Sequence, residues 1–183
     1  MVRIFICLFL FLLSGDILPQ TNSMSLGGYV GVGSIRGNSP SQTSFNTSIF
    51  LDAAPEFMQG SSLRLSLLYG RKIEALLPGG LYDRYFPFMK GISLKVTTNQ
   101  TFQNFFYTEE AIGPLVLNDR TFSDVNSVDL GLGFSFMAGL DFRSGGKGMA
   151  FGLGSEYGLT FTNTSASYFA FYLQAQYYFL GKD

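Results

Sequence analysis

The side chains best placed to do chemistry are nine charges: Asp52, Glu56, Arg64, Lys72, Lys95, Asp129, Asp141, Arg143 and Glu156. Each falls on the small or polar face of a segment whose other face is apolar. Two chemistries suit such a set. One is a polar conduit or a small-ligand site; the other is a plug of mutually paired charges. A charge buried without a partner is costly, so pairing is the default expectation. Asp52, Arg64, Lys95 and Glu156 are the principal interior candidates. Glu156 is the most singular of them, lying mid-segment among Gly and Thr.

Catalytic groups are scarce. The 183-residue chain has no His and one Cys. It therefore has no histidine general base, no His–Asp relay, no His-ligated metal, no intrachain disulfide and no thiolate zinc site. Glu109 and Glu110 adjoin in sequence, but neighbours on a strand face opposite ways. They make a poor acid–base dyad, and a rim position is expected for them. Asp119, Asp124 and Asp129, with Asn118 and Asn126, could supply oxygen ligands to calcium. Their spacing is not that of an EF-hand, so a solvated loop is expected. The Gly-x-Gly pairs at Gly31–Gly33, Gly131–Gly133 and Gly152–Gly154 lie within alternating segments with no helix following, so they are not phosphate loops. A net charge of −1 gives no electrostatic footprint for nucleic acid. No catalytic residue, cofactor or metal is expected.

The elements that must position these groups are strands. Side chains of a strand alternate between faces with period two. Over 128–143, Val128, Leu130, Leu132, Phe134, Phe136, Ala138, Leu140 and Phe142 share one face. Asp129, Gly131, Gly133, Ser135, Met137, Gly139, Asp141 and Arg143 share the other. Segments 149–162 and 167–179 repeat the pattern, and 45–57, 61–73 and 86–98 follow it less cleanly. Residues 25–35 and 104–117 are the weakest candidates. Pro114 predicts that the latter ends early or sits near a rim. The result is about eight strands. Tight turns are expected near Met58–Gly60 and Ser144–Gly148, with short links near 99–103 and 163–166. Longer loops are expected at 37–44, 76–85 and 118–127.

Composition says where such a sheet can live. Some 46% of residues are hydrophobic and 14% charged, against about 25% charged in soluble domains. Past residue 15 no long apolar run occurs, so no helix can cross a bilayer. In hydrocarbon every backbone polar group must be bonded within the protein, which leaves a closed barrel. Strands that cross at a tilt need about 9–11 residues, and these segments reach that length. Gly, Ser, Thr and Ala dominate the non-apolar faces, as a narrow lumen requires. Phe45, Phe57, Tyr69, Phe142, Phe161, Tyr177 and Phe179 near strand ends suit an interfacial girdle. A soluble β-barrel or sandwich is the alternative. The predicted fold is thus all-β, an antiparallel up-and-down transmembrane barrel over 21–183.

The first 20 residues form a separate unit. Arg3 precedes an unbroken apolar run from Ile4 to Leu13. Ten apolar residues behind a basic flank fit a secretory signal rather than a spanning helix, which needs about 20. Cleavage is expected between Ser14 and Ser23, which removes Cys7. Retention as a hydrophobic anchor is the alternative.

The mature chain resembles the bacterial outer-membrane β-barrel family of small eight-stranded porin-like proteins. The most specific part is 128–179, ending in SYFAFYLQAQYYF. The resemblance implies that Tyr177 and Phe179 serve as the aromatic signal read by the barrel-assembly machinery. The chain departs from the pattern in continuing to Asp183 and in carrying Gln174 where the family has Gly. A second stretch, FYTEEAIGPLVLND at 106–119, is similar to a segment of the lipid A 3-O-deacylase barrels. Those enzymes hydrolyse an ester with a Ser, a His and a carboxylate. Their His-x-Ser-Asn motif would fall on Thr160, Thr162 and Asn163, where only the Asn is kept. A threonine without an adjacent base is a weak nucleophile, so this resemblance implies a scaffold without the chemistry.

Together these readings predict a non-enzymatic outer-membrane barrel with a structural or loop-mediated role. A narrow pore and a degenerate lipid A deacylase are the rivals. The partners expected are outer-membrane lipid, lipopolysaccharide and the assembly machinery, with an extracellular partner not identifiable from any motif.

Overall fold

The computed structural model describes residues 21–37, 39–58, 60–76, 85–102, 105–123 and 126–181. The predicted signal segment 1–20 lies outside them. Eight strands follow in order: β1 Thr21–Arg36, β2 Gln42–Pro55, β3 Ser61–Lys72, β4 Phe88–Phe102, β5 Phe106–Arg120, β6 Ser127–Asp141, β7 Gly148–Thr160 and β8 Ser167–Gly181. Each pairs antiparallel with its neighbours in sequence, and β1 closes on β8. A 3₁₀ turn, Ile73–Leu76, begins the β3–β4 connection.

Period two decides which side chains enter the barrel. In β8, Tyr168, Ala170, Tyr172, Gln174, Gln176 and Tyr178 are buried, while Phe169, Phe171, Leu173, Tyr177 and Phe179 are exposed. The same alternation runs around the wall and inverts the usual order of a soluble sheet. Leu153, on the outside, is 61% exposed, whereas Asp129, on the inside, is 0% exposed. An outer face of Leu, Val, Ile and Phe needs hydrocarbon as its solvent, and the closed ladder leaves no strand edge unpaired. The chain is a transmembrane β-barrel, and the soluble sandwich is excluded.

The strands run from 12 to 16 residues. In β1, β2, β4, β5 and β8 pairing continues past the clean alternation, β4 reaching Phe102 through the link expected near 99–103, whereas β3, β6 and β7 end one or two residues before their alternating segments do. The loops shrink accordingly, to 37–41 and 121–126, and the link near 163–166 widens to 161–166. Only 73–87 is long. These connections share one rim with it, here the loop rim. Turns 56–60, 103–105 and 142–147, with Thr21 and Gly181, occupy the other, here the terminus rim. Gly145 and Gly146 carry φ of +59° and +71°, the left-handed conformation that favours glycine.

Pro114 does not end its strand. It lies in the middle of β5, opposite Leu132 of β6. The ladder to β4 lapses beside it, its partners passing from Ser93–Leu115 to Val96–Ile112. Thus one local interruption accommodates the missing N–H, and the strand continues beyond it.

Candidate functional site

The lumen is the candidate site, and it is built from one inward position after another. Cross-strand register sets Ser25 beside Asp52, Asp52 beside Arg64, and Arg64 beside Lys95. Two cations thus lie side by side on β3 and β4. Like charges directly opposite repel, and here each turns to its own carboxylates.

Arg64 forks between two of them. Its Nε and Nη2 donate to Asp52 Oδ1 and Oδ2, both at 2.7 Å. Its Nη1 and Nη2 donate to Glu109 Oε1 and Oε2 at 2.5 and 2.7 Å. The guanidinium carbon stands 4.0 Å from the centre of the Phe50 ring. Gln176 Nε2 donates to Asp52 Oδ2 at 2.8 Å and to Ser25 Oγ at 2.6 Å. Lys95 crosses toward β7, where its Nζ lies 2.7 Å from Glu156 Oε2. Tyr168 donates its hydroxyl to Glu156 Oε1 at 2.5 Å. All five charged side chains are almost wholly buried. Fork geometry and desolvation make such contacts strong but inflexible.

Apolar layers flank this network. Toward the loop rim, Ile35, Leu68, Met89, Leu115, Leu117, Ala166 and Tyr168 form one buried cluster. A second cluster joins Tyr29, Tyr107, Met137, Ala150, Ala170, Tyr172 and Tyr178, with Tyr29 and Tyr172 stacked at 4.3 Å. At the terminus rim a polar recess of about 200 Å³, bordered by Asn22, Ser25, Asn99 and Arg143, reaches inward to Asp52. Chemically, the arrangement neutralises and fills. Asp52, the carboxylate that borders the recess, is held by Arg64 and Gln176.

Asp52, Arg64, Lys95 and Glu156 therefore lie together. Other sequence candidates are distributed differently. Glu56 is exposed in the β2–β3 turn rather than inside. Lys72 pairs with Glu74 at 2.9 Å near the loop rim. Asp141 pairs with Arg143 at the terminus rim, where Arg143 also lies 4.1 Å from the Tyr178 ring centre. Glu109 is not a rim residue: it is buried in the lumen, while Glu110 faces outward. The signal was available, since Glu109 shares its period-two face with Tyr107 and Ala111.

Asp119 is not in a solvated loop: β5 runs to Arg120, past the expected end at 117, and holds it as a buried strand residue. Asp129 is likewise buried on a strand, on the inward face that alternation over 128–143 gives it, and Asp124 lies outside the described residues. Asp119 Oδ1 accepts the Thr121 N–H at 2.8 Å. Asp129 accepts from Thr162 Oγ1 at 3.1 Å and from Thr164 Oγ1 at 2.7 Å. The positions of the deacylase-like motif serve the same loop. Thr160 Oγ1 donates to the Ala166 carbonyl at 3.1 Å. Asn163 Nδ2 donates to the Val128 carbonyl at 3.2 Å. Tyr177 and Phe179 face outward on β8 near the terminus rim.

A closed eight-stranded barrel with an apolar belt outside and a filled polar lumen defines a class, the small outer-membrane-type barrels. Comparison with solved structures agrees. The chain superposes on neisserial surface protein A with a TM-score of 0.62 at 7% identity, covering 84% of this chain and 96% of that one. The Ail protein of Yersinia pestis gives a TM-score of 0.47 at 13% identity, covering 86% of this chain and 97% of that one. The N-terminal barrel domain of Pseudomonas aeruginosa OprF gives 0.46 at 14% identity, over 86% and 98% of the two chains. The first of these likenesses establishes a shared fold. No protein-family model matches the chain, and no curated protein does so either.

Proposed function

We propose that this chain is a non-enzymatic, non-conducting outer-membrane barrel whose work is done by its outer wall and its loop rim. The observation that carries the reading is the filled lumen. The Arg64 fork and the Lys95–Glu156 pair cross the barrel. The Ile35–Leu68–Met89–Leu117 cluster closes it above them. An ion passing through would have to break buried pairs and then cross an apolar layer, both costly steps. A catalytic reading has less support. The chain has no His, and Thr160, Thr162 and Asn163 hold the β7–β8 loop. Export by the 1–20 segment and insertion by machinery that reads Tyr177 and Phe179 complete the proposal.

The test begins with unboiled and boiled outer-membrane fractions of expressing cells on a denaturing gel. A boiling-dependent shift in that fraction is expected. A soluble, unshifted protein would refute the localisation. The purified barrel is then added to planar bilayers, where silence is expected and a steady single-channel current would make it a pore. A mass change in lipid A from expressing cells would restore the deacylase alternative.

A further inference from the structure

The outer wall carries a feature that the lumen does not explain. Among the described strand residues, the charges that face outward near the loop rim are Arg36, Arg71, Lys90 and Arg120, all of them cations. The outward carboxylate, Glu110, lies in the other half of the wall. Three of the four cations occupy adjacent strands. Register aligns Arg71 of β3, Phe88 of β4 and Arg120 of β5 in one row. The row beneath is Tyr69, Lys90 and Asn118. Neighbouring strands are about 4.8 Å apart, so the two arginines flank Phe88 at about 10 Å and Lys90 sits between and below them.

None of the three has a carboxylate partner among the described residues. The Nε atoms of Arg71 and Arg120 are shielded and have no hydrogen-bond acceptor there. Aromatic rings brace the guanidinium groups instead. Arg71 lies 6.0 Å from the centre of the Phe86 ring, and Arg120 lies 5.8 Å from that of Phe88. Directly below come Leu67, Ile92 and Val116, then Leu65 and Leu94, then Leu63, Val96 and Ile112. The wall thus presents cations at the top of an apolar column.

We infer that Arg71, Lys90 and Arg120 bind the phosphate of a membrane lipid headgroup, with the acyl chains of that lipid lying along the column below. Guanidinium groups match phosphate oxygens in a fork, and an ammonium adds a point charge. Cations at the edge of a hydrocarbon layer seek anionic headgroups. A free anion would use the cations but not the column; a neutral lipid would use the column but not the cations. The inference rests on the transmembrane reading of the barrel and not on the lumen being closed.

Native mass spectrometry of the detergent-released barrel tests it, with diphosphoryl lipid A and its dephosphorylated form as probes. Wild type is expected to retain the phosphorylated probe. The triple variant Arg71→Gln/Lys90→Gln/Arg120→Gln should retain it about a hundredfold less tightly, and Lys90→Gln alone about fivefold less. Arg36→Gln, a rim cation outside the row, should match wild type. Equal retention by wild type and the variants would overturn the inference. So would equal retention of the dephosphorylated probe, or full competition by free inorganic phosphate, which would mark a soluble-anion site. The boiling-dependent gel shift of each variant reports folding separately, and Lys90→Gln, an exposed position, carries the test if the triple variant does not fold. A variant that folds and shifts normally yet keeps the lipid sinks this site and leaves the barrel reading intact.

Discussion

Replacing Arg64 with Met should be among the most damaging single changes in the barrel. The wild-type guanidinium makes four hydrogen bonds to Asp52 and Glu109. Methionine keeps much of the side-chain length and leaves two buried carboxylates facing each other, with Gln176 Nε2 as the donor still bonded to Asp52. Removing one partner of a buried ion pair costs about 3–5 kcal/mol. Loss of the stacking on Phe50 adds about 1 kcal/mol. The expected deficit is therefore about 4–6 kcal/mol. Urea unfolding in lipid vesicles, followed by the boiling-dependent gel shift, measures it. The triple variant Asp52→Asn/Arg64→Met/Glu109→Gln removes all three charges and should return to within about 2 kcal/mol of wild type. Arg64→Lys keeps the charge but not the fork, and should fall between the two. If Arg64→Met unfolds within about 1 kcal/mol of wild type, the carboxylates are not held face to face in a dry lumen, and the reasoning fails.

Other perturbations probe the wall and the rims. Leu153→Lys places a charge in the middle of the lipid face between Ala138 and Leu173, and should cost about 2–4 kcal/mol in the same unfolding assay. Phe136→Lys should cost less, by about 0.5–1 kcal/mol, because Glu110 stands directly opposite it on β5. Gly31→Ala would set a Cβ 2.0 Å from the Phe171 carbonyl oxygen, so overpacking of about 1–3 kcal/mol is expected. Gly133→Ala meets its nearest neighbour, Lys95 Cε, at an ordinary 3.4 Å, and its unfolding midpoint should not move. Gly133→Lys would press a second ammonium toward Lys95, and should abolish the gel shift. Asp129→Ala releases Thr162 and Thr164; protease added to intact cells should then cut within 161–166. Continued resistance there would mean that the loop is held by other contacts or does not face outward.

Much of the wall is local and was legible in one dimension. The faces of β6, β7 and β8 follow from alternation alone, because a strand turns every second side chain to the same side whatever it pairs with. Inward placement of Asp52, Arg64, Lys95 and Glu156 follows the same rule. Alternation is less informative where the polar and apolar faces blur. That is why β1 and β5 looked weak, why Glu109 looked like a rim residue and why Asp119 looked like a loop residue. Pro114 illustrates another limit. A proline argues against a regular ladder, but a closed wall can absorb one lapse between β4 and β5 while pairing with β6 continues.

Composition and period two thus determined the all-β class, the apolar belt, the inward set of charges and the absence of a histidine-based site. Tertiary structure decided which inward charge meets which. Arg64 and Glu109 are 45 residues apart, and Lys95 and Glu156 approach from opposite sides of the lumen. It also decided that Arg71, Lys90 and Arg120 form one cationic patch on the outer wall. The reason is geometric: alternation assigns a side chain to a face, but register and closure set its height and its neighbours across the barrel.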